Sequence, residues 1–160
     1  MREAIGGPWL FGLVITFIVF FASFLAVSIN YSKAFNVKNN VVDLIGKYEG
    51  NNNCAREKIA EYLRSSGYLV MGGCPEKDST GKCSYNGYNL NGELIKDNKA
   101  YYWIKNDSTL SNSLIDKSFY SVVIFFKIDL PMIGDLTTFK IRGETEAVYF
   151  ANDKNNLKCK

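Results

Sequence analysis

Cys54, Cys74, Cys83 and Cys159 are the residues of this 160-residue chain whose type and number most directly imply chemistry. An even cysteine count in a small domain is the usual mark of disulfides formed in an oxidising compartment. The stretch from Cys74 to Cys83 reads Cys-Pro-Glu-Lys-Asp-Ser-Thr-Gly-Lys-Cys, rich in turn formers. Closing that loop would pin an otherwise floppy excursion, which favours pairing Cys74 with Cys83. Cys54 and Cys159 would then tie an early helix to the C-terminal tail, although spacing alone leaves all connectivities open. A four-cysteine zinc site is the rival reading. Such sites normally show paired Cys-x-x-Cys knuckles, and this chain has none. Free thiols in a cytoplasmic domain are the third reading.

Histidine is absent, which removes the commonest general base, the commonest metal ligand and every Ser/His or Cys/His nucleophile arrangement. Glu144 and Glu146, two apart on an expected strand, could act as paired carboxylates but read more simply as a solvated strand face. Tyr101-Tyr102-Trp103, flanked by Lys99 and Lys105, has the makings of a stacking platform, yet sheet core explains it better. Asp78-Ser79-Thr80-Gly81 lacks the alternating acids and distal Glu of a calcium loop. Neither Gly6-Gly7 nor Gly72-Gly73 opens a phosphate-binding helix. No catalytic residue, metal or cofactor is therefore expected. Lys and Arg total 19 against 16 Asp and Glu, a surplus too small and too scattered to imply nucleic acid.

Whatever the domain does, it is held by a long apolar segment. No charge occurs from Ala4 to Ser32. A bilayer core of about 30 Å needs about 20 helical residues, and this run supplies them. Lipid cannot satisfy backbone polar groups, so the segment must be helical. Trp9, Leu13, Phe17, Phe20, Phe24 and Val27 are the expected anchor residues, and Gly6-Gly7-Pro8 is the expected start, with Pro8 in the first turn. Trp9 and Tyr31 fall near the two ends, where amphipathic rings favour the interface. A cleaved signal peptide would be shorter, with a small-x-small site, whereas Ala26 is preceded two places back by Phe24. Arg2 before the helix, against Lys33, Lys38 and Lys47 after it, would place the domain in the cytoplasm by positive-inside counting. The cysteines argue for the outside and weigh more.

Beyond the membrane segment, Phe35, Val37, Val41, Val42, Leu44, Ile45 and Tyr48 recur at helical spacings up to Gly50. A second helix is expected from Cys54 to Ser65, capped by Asn53 and stopped by Gly67. Strands are expected at Tyr68–Met71, Lys99–Ile104, Ser118–Leu130 and Thr138–Phe150. Asn86-Gly87 and Asn91-Gly92 are expected to turn the chain around a small hairpin. Val122, Ile124, Phe126 and Ile128 alternate on one long strand, and Phe139, Ile141, Ala147 and Tyr149 recur on the other. Pro131, Gly134 and Asp135 join the two, so they should pair antiparallel. The fold class is α+β, a transmembrane helix extended into an amphipathic one and packed on an antiparallel sheet of about four strands. Residues 1–32 form the N-terminal segment with its membrane helix, and residues 33–160 an extracytoplasmic domain. Asn30-Tyr31-Ser32 and Asn106-Asp107-Ser108 match the glycosylation sequon, a pattern that often arises by chance.

An apolar N-terminal helix running into an amphipathic one, then a disulfide-linked sheet, resembles type IV pilins and pseudopilins. Within that group the chain is similar to the TadE/TadG-like proteins of tight-adherence pilus systems. The resemblance is carried by the N-terminal stretch Met1 to Phe11 and by Ser28-Ile29-Asn30-Tyr31-Ser32-Lys33-Ala34-Phe35. At the other end it is carried by Val122 to Pro131 and by Phe139-Lys140-Ile141-Arg142-Gly143-Glu144-Thr145-Glu146-Ala147. The stretch from Cys54 to Asn112 takes no part in it. Pilins usually carry Glu five residues after the leader cleavage point; cleavage after Gly7 would place Gly12 there. The resemblance implies a pilin-like fold and a structural subunit of a bacterial surface filament or secretion apparatus, acting by assembly. It implies membrane lipid, other pilin-like subunits and assembly-platform proteins as partners. The alternative is a membrane-anchored module that recognises a surface partner or glycan.

Overall fold

The computed structural model describes residues 3–107, 117–130, 134–149 and 159, with backbone alone for 3–6, 128–130 and 134–137. Met1, Arg2, Ser108, Asn112, Pro131 and Phe150, named above, lie outside the described residues.

One helix, α1, runs unbroken from Glu3 to Lys47, 45 residues, or about 68 Å. Pro8 sits inside it rather than in its first turn. Its fixed φ is already helical and its missing N–H removes one bond, close to an end that is bonded weakly anyway. Beyond the apolar run, Ala34, Val37, Val41 and Ile45 are buried and form the docking stripe. Phe35, expected in that stripe, faces outward. The helix closes where the Gly50 N–H donates to the Ile45 carbonyl and the Glu49 N–H to that of Gly46, with Glu49 in the left-handed region at φ 56°. Glycine usually fills such a position.

Helix α2 spans Asn53–Ser65. Its cap is Asn52, one residue before the expected Asn53. The Asn52 side chain accepts from the Ala55 N–H at 2.9 Å and donates to the Tyr48 carbonyl at 2.7 Å. That second bond ties the cap to the end of α1, which Asn53 could not do from one residue further on. At the other end Gly67 adopts φ 65° and stops the helix.

Nine strands follow among the described residues: β1 (Gly72–Gly73), β2 (Asn86–Tyr88), β3 (Leu94–Ile95), β4 (Lys99–Ala100), β5 (Tyr102–Asn106), β6 (Lys117–Ser118), β7 (Tyr120–Leu130), β8 (Gly134–Glu144) and β9 (Val148–Tyr149). Five of them make one antiparallel sheet in the order β3-β2-β5-β7-β8, while β1 pairs with β4 and β6 with β9. The long hairpin β7–β8 sets Ile124 opposite Ile141 and Phe126 opposite Phe139. Helix α1 packs on this hairpin. Val122 and Ile124 turn toward the helix, and Val123 and Phe125 join Tyr85, Ala100 and Trp103 in a second core on the other face. The run Val122–Phe126 is apolar without interruption because β7 is covered on both sides.

Several expected elements divide or move. Tyr68–Met71 is not a strand: Tyr68 turns inward and its hydroxyl donates to the Phe125 carbonyl and accepts from the Phe125 N–H. Those are backbone groups that β5, beginning at Tyr102 opposite Ile124, does not reach. Lys99–Ile104 splits at Tyr101 because Ala100 pairs with Gly72 while Tyr102 joins the main sheet. The last expected strand breaks after Glu144, where the Thr145 hydroxyl accepts from the Tyr120 N–H. Tyr149 therefore belongs to the small β6–β9 pair. Asn86-Gly87 lies in β2 rather than in a turn. A Cβ on Gly87 would come within 2.8 Å of the Ala100 Cβ, so packing requires the glycine there. Asn91-Gly92 does turn the chain between β2 and β3, with Gly92 at φ 76°.

Two buried tyrosines make opposite predictions. Burial pushes both hydroxyls above the usual tyrosine range. The Tyr68 hydroxyl satisfies two backbone groups, so Tyr68→Phe should cost about 2 kcal/mol. The Tyr102 hydroxyl is buried without a hydrogen-bond partner among the described residues, so Tyr102→Phe should be neutral or stabilising by about 1 kcal/mol. Urea unfolding in detergent, followed by tryptophan fluorescence, gives both signs in one experiment.

Candidate assembly surface

Most of the large apolar side chains exposed among the described residues lie on α1. From Gly7 onward the helix is long and apolar enough to cross a membrane. Trp9, Leu13, Phe17, Phe20 and Phe24 project outward, and Val27 is half-buried. Thr16 and Ser23 each donate the hydroxyl to a carbonyl four residues back, Gly12 and Val19, at 2.9 Å. Those bonds let polar residues sit in an apolar surround. Gly12 and Thr16 leave a shallow hollow bounded by Trp9, Leu13, Phe17 and Phe20. Small residues four apart let a second helix approach closely.

Where α1 meets the hairpin, four rings form a ladder. Tyr31 stacks on Phe35 and meets Phe126 edge-on at 5.9 Å, and Phe126 stacks on Phe139 at 5.3 Å. The Lys38 ammonium lies 4.2 Å above the Phe35 ring. A Cβ on Gly143 would come 2.5 Å from the Lys38 stem, so the glycine lets the hairpin lie close against α1 at this level.

Both disulfides lie in the domain. Cys74 is bonded to Cys83, and Cys54 to Cys159, with Cα atoms 5.9 and 5.2 Å apart. The first closes a loop whose Pro75 carbonyl accepts from the Lys140 ammonium of β8 at 3.2 Å. Pro75, Glu76, Tyr85, Val123, Lys140 and Arg142 line a cleft of about 400 Å³ there.

The residues weighed for chemistry fall elsewhere. Glu144 ends β8 and pairs with Arg142 at 3.1 Å, and Glu146 follows the strand, so they share a groove but no strand face. Thr145 between them is buried. Tyr102 and Trp103 are both core, and the Trp103 indole N–H donates to the Gly72 carbonyl. Lys105 pairs with Asp107 at 2.8 Å. Hydrogen bonds from the Thr80 hydroxyl and the Lys82 N–H hold the Asp78 carboxyl below the usual carboxylate range, so it braces its own turn. Among the described residues no group of three or more His, Cys, Asp or Glu side chains is placed to hold a metal ion.

Sequence reasoning missed Ala34, whose burial continues the docking stripe one turn nearer the membrane segment; its spacing of three to Val37 was the available signal. It also missed the two grooves beside α1, which arise only once the hairpin is laid against the helix. One runs along the end of β8 and is lined by Val42, Asp43, Gly46 and Glu144 to Tyr149. The other lies on the opposite flank, between α1 and Gly67 to Val70. No protein-family model, curated protein or solved structure matches the chain.

Proposed function

We propose that this chain is a pilin-like or pseudopilin-like structural subunit of a bacterial surface filament or secretion apparatus, similar to TadE/TadG-like proteins. It acts by assembly rather than catalysis. One observation carries the reading: a single uninterrupted helix is apolar and exposed in its N-terminal half and docked on an antiparallel sheet in its C-terminal half. Such a helix can lie in lipid or in a helical bundle, and the Gly12–Thr16 hollow favours close helix contact in either. The two disulfides support an extracytoplasmic position for the domain.

Two measurements test this. Leu13→Asp combined with Phe17→Asp should remove the chain from membranes and from any filament, since each charge at mid-bilayer costs about 3 kcal/mol. Glu144→Gln should leave assembly nearly intact. Loss of function in Glu144→Gln with normal folding and localisation would count against a purely structural role. The unreduced intact mass of protein taken from its native membranes should show the hydrogen loss of both disulfides; free thiols would place the domain in the cytoplasm and sink the reading.

A second reading rests on the cleft between the Cys74–Cys83 loop and β8, where Lys140, Arg142 and Tyr85 meet. It makes the chain a membrane-anchored binding module for a surface partner or glycan. Detergent-solubilised protein that retained an acidic glycan, and released it in Arg142→Ala, would favour this reading over the first.

A further inference from the structure

The two grooves flanking α1 carry opposite charge. Asp43, Glu49, Glu144 and Glu146 line the one beside β8, with Lys47 its single cationic residue among the described residues. Glu144 is shared with Arg142; Asp43, Glu49 and Glu146 have no cation partner among the described residues. Gly46 leaves the floor of this groove open, for a Cβ there would touch nothing within 4 Å. The groove on the opposite flank has Lys33 and Lys127 as its charged residues, beside the exposed Leu69. Lys33 has no carboxylate partner among the described residues.

Lys33 and Asp43 are ten residues apart on one continuous helix, so the two grooves are displaced along it by about 15 Å. We infer that the Lys33 groove of one copy seats against the acidic groove of the next, with the second copy shifted along α1 by that distance. This rests on the assembly reading above.

The geometry has two consequences. The contact joins different surfaces of identical chains, so it propagates instead of closing into a pair. The apolar run from Pro8 to Ile29 is about 33 Å long, so neighbours shifted by about 15 Å still overlap along more than half of it. Copies crossing one bilayer at the same depth are not shifted, and in them the grooves miss each other. The contact is therefore a property of the assembled state. Each exposed ion pair is weak alone, and repetition along the assembly makes the set count.

The test uses the full chain in its native host, grown as a mixture of isotopically light and heavy protein. A carbodiimide, which joins an ammonium to a carboxylate in direct contact, is applied to the assembled and the membrane fractions. Light-to-heavy links from Lys33 to Asp43, Glu49 or Glu146 are expected, enriched about tenfold in the assembled fraction. Lys33→Glu should abolish them and reduce assembly, and Lys33→Glu with Glu146→Lys should restore it; the unreduced mass of each variant checks that both disulfides form. Assembled material without such links, links confined within single chains, Lys33 linked to a different protein, or no rescue by the double exchange would overturn this contact and leave assembly standing. If the wild-type chain yields no assembled material, the contact and the assembly reading fall together.

Discussion

Serine at Cys54 and Cys159 lowers the unfolding free energy by about 4.7 kcal/mol, the larger of the two losses expected from removing a cross-link. The two cysteines are 105 positions apart, and a bridge closing about 100 residues removes close to the greatest chain entropy this fold can lose. Cys74 and Cys83 are only 9 apart, so their bridge is worth about 2.5 kcal/mol on the same reckoning. Urea unfolding of the detergent-solubilised full chain gives both values. The reverse order would mean that the loop bridge acts mainly by holding Pro75 against Lys140, and that the long bridge constrains little.

Gly72→Ala should cost about 3 kcal/mol, near the upper end for overpacking by a single methyl. A Cβ at Gly72 would lie 2.2 Å from the Phe125 ring, in the middle of its face. Neither partner can retreat easily. Gly72 is held by its pairing with Ala100, and its carbonyl accepts from the Trp103 indole. The check is a double-mutant cycle. Phe125→Leu alone creates space and destabilises, whereas in the Gly72→Ala background it should restore part of what was lost. Additive losses would show that the damage lies in the backbone at Gly72 and not in its contact with the ring.

Features set by local pattern were legible in the sequence. The charge-free run announced the helix, the three- and four-residue spacing of Val37, Val41 and Ile45 marked the docked face, and the apolar residues two apart at Val122, Ile124 and Phe126 and at Phe139 and Ile141 marked the long hairpin. The structure also joins Cys74 to Cys83 and Cys54 to Cys159. What escaped depends on distant partners. Tyr68 reads as a strand residue until its hydroxyl finds Phe125, 57 positions away. Asn86-Gly87 is a turn dipeptide by type, yet its glycine answers to Trp103 and Ala100. The short β1–β4 pair has no periodicity to read, because each strand is two residues long. The grooves beside α1 depend on how the hairpin lies on the helix, and no pattern within either element encodes that.

The unbroken course of α1 makes the apolar rod and the domain docked on its far half one lever. No glycine pair or proline interrupts the helix between Ile29 and Lys47, a reach of about 27 Å. A tilt of about 20°, ordinary for a membrane helix, would swing the far end sideways by about 9 Å. A rotation applied at Phe17 is therefore carried along continuous helix to Ile45, and the sheet packed there turns with it. Domain orientation is set from below, and a pull on the sheet is felt directly at the root of the helix.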